Sequence, residues 1–319
     1  MAARVAPRDA PAAEPLFARY SPELAQLFVI AMWASTYIVT KAAYAELRPL
    51  AFAFVRYVAM IGLAFLVLAI RNWRVGPARA AWTVRRADLP RFALAGGCAY
   101  TLYQLGFLLG LERTSPFSTS LMIALVPLFT LLILALRGER PPVRAWVALA
   151  VAIAGVALFL LDKVGTPGTA LGDALALGAG LSFAYYGIVN RPLVAAYPPE
   201  TYTAYSLLIG ALPLIVLSIP DAVAQDWGAI SLATWAAIAY MVALPVYLAY
   251  ILWNWAIARR GVAAASRWTL LVPILSGVGS ALVFGESFGP TKIAGALLVF
   301  AGLILPLFQA QPSAAAIRR

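Results

Sequence analysis

The sequence predicts an all-α membrane protein: ten transmembrane helices forming two inverted five-helix repeats around a central cavity. Three observations carry this reading. The 319 residues are 63% hydrophobic and 12% charged, against about 45–50% and 25% in soluble domains. Ten mostly apolar stretches follow one another, each near the ~20 residues that a helix needs to cross a bilayer core. A Gly/Pro-rich break at 162–172 divides them five and five. An odd number of crossings per half makes the second half enter from the opposite face.

The crossings are expected at 24–44, 50–70, 91–111, 116–136, 144–161, 171–190, 201–220, 232–257, 264–284 and 291–309. Helix is the choice because a lipid-exposed strand edge leaves backbone groups unpaired, and the alternation of a barrel strand is missing. Residues 1–22 read as an N-terminal tail, 23–163 as the first repeat, 170–309 as the second and 310–319 as a C-terminal tail. The tail at 1–20 has no apolar run and is not a cleavable signal peptide.

Charge sets the expected orientation. Arg71, Arg74, Arg79, Arg85, Arg86, Arg91, Arg137, Arg140, Arg144, Arg191, Arg259 and Arg260 fall on one side, with the basic residues of both tails. The other side has Lys41, Arg48, Arg113, Lys163 and Lys292, with acids such as Glu112, Asp162, Asp173 and Glu286. By the positive-inside rule both termini are cytoplasmic, in a multi-pass protein of a bacterial inner membrane. The net charge of +11 is then a topology signal, and no nucleic-acid partner is expected.

Composition excludes much chemistry. There is no histidine and one cysteine, Cys98, so neither a disulfide within the chain nor a Cys-based zinc site can form. No metal, cofactor or nucleotide loop is expected, and ATP drive is excluded. An intramembrane enzyme would need a base, nucleophile or metal at membrane depth, and a channel would show charge rings or a filter loop. Neither pattern is present.

The halves share signatures. Trp33-Ala-Ser-Thr36-Tyr37 leading to Lys41 in the first crossing parallels Ser182-Phe-Ala-Tyr185-Tyr186 leading to Arg191 in the sixth. The fourth and ninth crossings carry Pro127 and Pro273 and end in Gly138-Glu139 and Gly285-Glu286. Gly155 and Gly302 each follow those glutamates by 16 residues. With Pro49 and Arg56 in the second crossing and Thr114-Ser115 before Pro127, this ordered set resembles the drug/metabolite transporter superfamily in its ten-helix EamA-type branch, over about 24–308. Within the branch it is most similar to bacterial amino-acid exporters, including those for aromatic amino acids. The resemblance implies transport of a small molecule by alternating access.

Four crossings carry polar-aromatic faces at helical spacing: Trp33/Thr36/Tyr37, Tyr100/Tyr103/Gln104, Ser182/Tyr185/Tyr186 and Tyr250/Trp253/Asn254. With Arg56, these are the expected substrate-binding residues. The rings suit apolar side chains and ammonium groups, and the polar groups suit a carboxylate or ammonium. Against this stands the use of Tyr and Trp as interface anchors and of polar groups as helix glue. Aligning the triads of the third and eighth crossings costs a four-residue gap. Lys41 is expected to snorkel outward, and Arg56 must face protein or water. Pro127 and Pro273 are the expected hinges. No acid lies in mid-crossing, so facilitated release without proton coupling is expected, from a monomer acting on amino acids. The alternative is export of drugs or other small metabolites, and the remote alternative is an intramembrane enzyme, for which only Ser, Tyr and Arg remain at membrane depth.

Overall fold

The computed structural model describes residues 16–163, 168–261 and 268–305, with side chains from Tyr20 onward except those of Tyr250 and Asn254. Both outer tail segments, Arg267 and part of the 162–172 break lie outside the described residues. Among the described residues there is no strand. Eight helices are long and apolar enough to cross a membrane. They are α1 (Leu16–Ala43), α2 (Pro49–Val75), α3 (Arg86–Arg113), α4 (Pro116–Leu136), α5 (Val143–Leu161), α6 (Thr169–Val189), α7 (Pro199–Ala224) and α8 (Leu232–Arg260). Two shorter apolar helices follow, α9 (Leu271–Phe284) and α10 (Pro290–Ile304), of 14 and 15 residues. At ~1.5 Å per residue neither alone spans a ~30 Å core. Positions 264–267 and 306–309 of the expected ninth and tenth crossings lie outside the described residues.

Local sequence explains the boundaries. Proline opens α2, α4, α7 and α10, where its missing N–H costs nothing. Ser115 and Ser231 cap α4 and α8 by accepting from the N–H of Ser118 and Thr234. Gly138 and Gly285, the glycines of the paired Gly-Glu motifs, sit just beyond α4 and α9 at φ 94° and 65°. A side chain there would be strained.

The main helix pairs are α5 with α10, α2 with α7, α3 with α6, α1 with α8 and α9, α4 with α6 and α9, α3 with α7, and α2 with α8. Small residues let these backbones meet. A Cβ on Gly210 of α7 would come within 2.3 Å of the Gly96 backbone of α3. A Cβ on Gly155 would strike Gly295 and Val299, and one on Gly302 would strike Ala148 and Ala152. Apolar side chains such as Leu66, Ile153, Leu212 and Leu297 remain exposed, forming the lipid-facing surface of a protein whose solvent is hydrocarbon.

Three helices are locally irregular. α3 carries a π-helical turn at Gly97–Leu102 and α8 one at Leu244–Leu248. In each, an N–H reaches the carbonyl five residues back: Tyr103 to Cys98 and Ala249 to Leu244. α4 breaks between Ile123 and Val126, and Pro127 lies in the first turn of its second segment. Likewise turn residues Thr269–Leu270 precede α9, whose third residue is Pro273. A proline clashes with the carbonyl four residues back, which places both breaks where they are found.

Candidate functional site

A chain of aromatic rings joins α1, α2, α3 and α6. Tyr37 meets Phe107 edge-on at 5.4 Å between centroids. Tyr103 stacks on Phe107 at 6.2 Å and lies 5.0 Å from Phe183. The path continues from Phe183 to Tyr186 at 5.4 Å, from Tyr186 to Tyr100 at 6.5 Å and from Tyr100 to Tyr57 at 6.3 Å. Four expected residues, Tyr37, Tyr100, Tyr103 and Tyr186, are thus brought together. Tyr57, Phe107 and Phe183 join them unannounced, since a Phe on an apolar helix reads as ordinary core.

Beside the rings lie buried polar atoms with no hydrogen-bond partner among the described residues. Arg56 is 7% exposed, and its guanidinium carbon stands 5.8 Å from the Tyr57 centroid. Among the described residues it has no ion pair, and its Nε has no acceptor. The side-chain oxygens of Thr40 and Gln104 are also buried without partners. Thr40 lies one turn beyond Tyr37 on α1, and Tyr44 follows the end of that helix. The Tyr44 hydroxyl donates to the Leu108 carbonyl at 3.1 Å. Gln104 is one turn from Leu108 along α3. Each buried polar atom left unbonded costs about 1–3 kcal/mol, and charge raises that cost.

The other expected residues whose side chains are described make contacts away from the ring chain. Trp33 donates from Nε1 to the Pro245 carbonyl at 3.2 Å and sits 5.1 Å from Trp253. Thr36 donates to the Trp33 carbonyl of its own helix at 2.7 Å. Ser182 donates to the Cys98 carbonyl at 2.9 Å. Tyr185 turns away from the ring chain towards Arg137, 5.6 Å from its ring. The side chains of Tyr250 and Asn254 lie outside the described residues.

One register relates these details. Glu286 follows Glu139 by 147 residues, and Gly302 follows Gly155 by the same step. That step carries the start of the α3 π turn, Gly97, onto Leu244, the start of the α8 π turn. It carries Cys98 onto Pro245, the two π-turn carbonyls that receive Ser182 and Trp33 from the opposite half. Tyr100 and Tyr103 fall on Tyr247 and Tyr250. In this register Gln104 falls on Ile251 and the two expected triads stay three residues apart, while Tyr247, whose hydroxyl reaches the Met60 carbonyl at 3.4 Å, takes the place opposite Tyr100.

The opposite surprise lies at the helix ends that carry Lys41, Lys163 and Lys292. Lys41 does not snorkel into water. Its ammonium donates to the carbonyls of Leu111, Glu112 and Thr114 at 2.7, 2.8 and 3.0 Å, a cation on the open carbonyls of the α3 C-terminus. Lys163 donates to both Asp173 oxygens at 2.9 and 2.6 Å, to Thr114 Oγ1 at 2.8 Å and to Ser118 Oγ at 2.6 Å. Asp173 is fully buried and also accepts from Thr114 Oγ1 at 2.9 Å. Glu286 accepts from Ser115 and Lys292, both at 2.5 Å, and from Ser280. Burial pulls the Lys163 ammonium below its ordinary range and Asp173 draws it back up, while the Lys292 charge lowers it again. In sequence these residues looked like loop charges at span ends; only the fold reveals that they meet.

The sequence matches the EamA-like transporter family twice, over residues 21–161 and 170–308. The chain belongs to the EamA-like transporter family. Among relatives of this EamA-family protein is the "Probable terminal-alkyne amino-acid exporter" of Streptantibioticus cattleyicolor, 28% identical over 76% of this chain and 80% of the relative. The "Probable amino-acid metabolite efflux pump" of Salmonella typhimurium is 26% identical over 88% and 93%. The "Uncharacterized transporter YyaM" of Bacillus subtilis is 29% identical over 62% of this chain and 66% of its own length. A solved crystal structure superposes with a TM-score of 0.57 over 94% of this chain and 99% of the other at 18% identity. That likeness concerns the fold alone.

Proposed function

We propose that this EamA-family transporter exports amino acids, apolar and aromatic ones above all, across a bacterial inner membrane. Ten crossings in two inverted repeats enclose the path, with both termini in the cytoplasm. Support for the repeat comes from the doubled family match and from the helix pairs. Exchanging the halves turns α3–α6 into α8–α1, α4–α6 into α9–α1 and α2–α8 into α7–α3, and every one of these pairs is packed. An odd number of crossings per half then requires inversion.

The observation that carries the substrate reading is Arg56, a buried cation with no anion among the described residues. A substrate carboxylate supplies the missing partner as a charge-assisted, two-point hydrogen bond. Thr40 adds a hydroxyl, and the Gln104 carbonyl oxygen accepts from the substrate ammonium. The rings of Tyr37, Tyr57, Tyr100, Tyr103, Phe107 and Tyr186 receive the side chain. Trp33, Thr36, Ser182, Tyr185 and Trp253 stand outside this pocket, as helix contacts. The two broken helices at Pro127 and Pro273 serve as hinges for alternating access.

Export of lipophilic cations is the second reading, and it fits less well. Such a site offers a buried carboxylate free to meet the drug. Here the buried acids Asp88, Asp173 and Glu286 each face a basic side chain. The same pairing leaves no free acid among the described residues at the ring cluster, which favours downhill release without proton coupling. Proteoliposomes loaded with labelled phenylalanine, threonine or methionine are expected to lose label with no imposed proton gradient. Retention of all three amino acids overturns the substrate; dependence on the gradient overturns the facilitator.

A further inference from the structure

We propose that the buried lysine–carboxylate network joining Lys41, Lys163, Asp173, Glu286 and Lys292 is the exit gate of the transport cycle, held shut in this structure. The direction of exit rests on the exporter reading and on the charge-derived orientation, which puts this end outside.

The network ties the ends of separate helices together. Lys41 comes from the end of α1 and binds the end of α3. Thr114, Ser115 and Ser118 come from the α3–α4 junction, Lys163 from beyond α5 and Asp173 from α6. Glu286 follows α9, and Lys292 stands in the first turn of α10. Both halves therefore meet here. The network also lies in line with the ring cluster: Lys41 is one helical turn beyond Tyr37, and Thr114 follows the helix that carries Gln104 and Phe107. In the proposed cycle a substrate leaving the rings toward this end passes between these side chains.

Charge suits a gate better than a rivet. The Lys163–Asp173 and Lys292–Glu286 pairs are buried, with side chains at most 12% exposed. Buried ion pairs gain little over apolar packing of the same shape, so they make poor permanent clamps. They do define a geometry that is either complete or broken, which is what a two-state element requires.

The other end is also tied by ion pairs, Arg71–Glu200, Arg85–Asp88, Arg91–Asp88 and Arg260–Glu23, but their basic side chains are 22–71% exposed, so solvent screens them. The 147-residue register that matches α3 to α8 carries Glu286 back to Glu139 and Lys292 back to Ala145. Glu139 is exposed and makes no ion pair among the described residues, and alanine has no charge to offer. A symmetric fold thus carries an asymmetric lock, so the outer end closes more firmly than the inner. The resting protein waits for substrate from the cytoplasm.

The single native cysteine makes the test direct. In a Cys98→Ala background, Thr40→Cys places a thiol one residue below Lys41, and a membrane-impermeant maleimide is applied to intact cells. Labelling is expected to be slow with the network intact and at least about tenfold faster with Glu286→Gln or Lys292→Met, as the closed population falls. The exchanged pair Glu286→Lys/Lys292→Glu returns it toward the slow rate, which a merely misfolded variant does not do. Asp226→Cys, in the exposed loop between α7 and α8, reports sidedness and labels rapidly in every background. Equal Thr40→Cys rates with and without the network overturn the gate. Failure of Asp226→Cys to label puts this end in the cytoplasm and overturns the exit assignment. Labelling needs no substrate, so failure of amino-acid efflux removes the substrate reading and leaves the gate standing.

Discussion

Arg56 sets stability against function. A central arginine costs about 2.5–3.5 kcal/mol on insertion, and here no acid among the described residues offsets it. Arg56→Met removes the uncompensated charge while keeping much of the aliphatic stem. The variant is expected to melt higher in detergent than the parent and to lose efflux by about 30-fold or more, the ~2–5 kcal/mol of a buried charge contact. Thermal unfolding and proteoliposome efflux on the same preparation check both halves of the expectation. A variant that melts lower and still transports would show the arginine to be a structural strut. Lys292→Met in the lysine–carboxylate network behaves oppositely. It strands the Glu286 carboxylate, and the expected loss is about 3–5 kcal/mol of stability.

Glu46 shows the same logic under pH. The backbone N–H of Ser231, then its hydroxyl, hold this carboxyl below the usual carboxylate range, at 2.7 and 2.8 Å. A depressed folded pKa adds stability above the unfolded value and loses it as pH falls through the folded one. The melting advantage of the parent over Glu46→Gln is therefore expected at neutral pH and should vanish in acid. A pH series of melting curves for the two proteins measures it. Residues of this kind were only partly legible in sequence. Arg56 stood out because charge in an apolar run is always a question, whereas Lys41, Asp173 and Glu286 sat at span ends, where charges are ordinary. Their partners lie far away along the chain, and no spacing rule encodes such meetings.

At the scale of the element, helix positions were legible because apolar length, opening prolines and closing glycines are local signals. The π turns were not, since hydrogen-bond slippage within a helix leaves the apolar pattern intact. In each turn one carbonyl accepts from a side chain of the opposite half: Cys98 from Ser182 and Pro245 from Trp33. Close packing of glycine on glycine is the stricter constraint. At the crossing of α3 with α7, a Cβ on Gly210 would come within 2.3 Å of backbone, which no rotamer change relieves. Gly210→Val is expected to force the helices apart and abolish the folded species. Gly62→Ala is expected to be silent, because no atom lies within 4 Å of its added Cβ. Size-exclusion profiles of the two variants in detergent distinguish them.

For the whole molecule, the halves belong together more than either belongs to itself. The principal pairs, α5–α10, α2–α7, α3–α6 and α1–α8, all cross between the halves, as do α1–α9, α4–α6, α4–α9, α3–α7 and α2–α8. Five helices alone would leave glycine and small-residue faces such as Gly96, Gly155 and Gly302 without the backbones they fit. Packing of this kind is the main association force in lipid, so a lone half lacks most of it. Severing the chain within 164–167 is therefore expected to be tolerated only when both pieces are made together. Co-expressed halves should co-purify through a tag on either one and retain efflux, while each piece alone should be degraded. A first half that stays folded and monodisperse on its own would mean that contacts inside the repeat, such as α1–α4 and α2–α3, suffice to hold it. The repeat would then be an independent unit whose partner supplies only the second wall of the path.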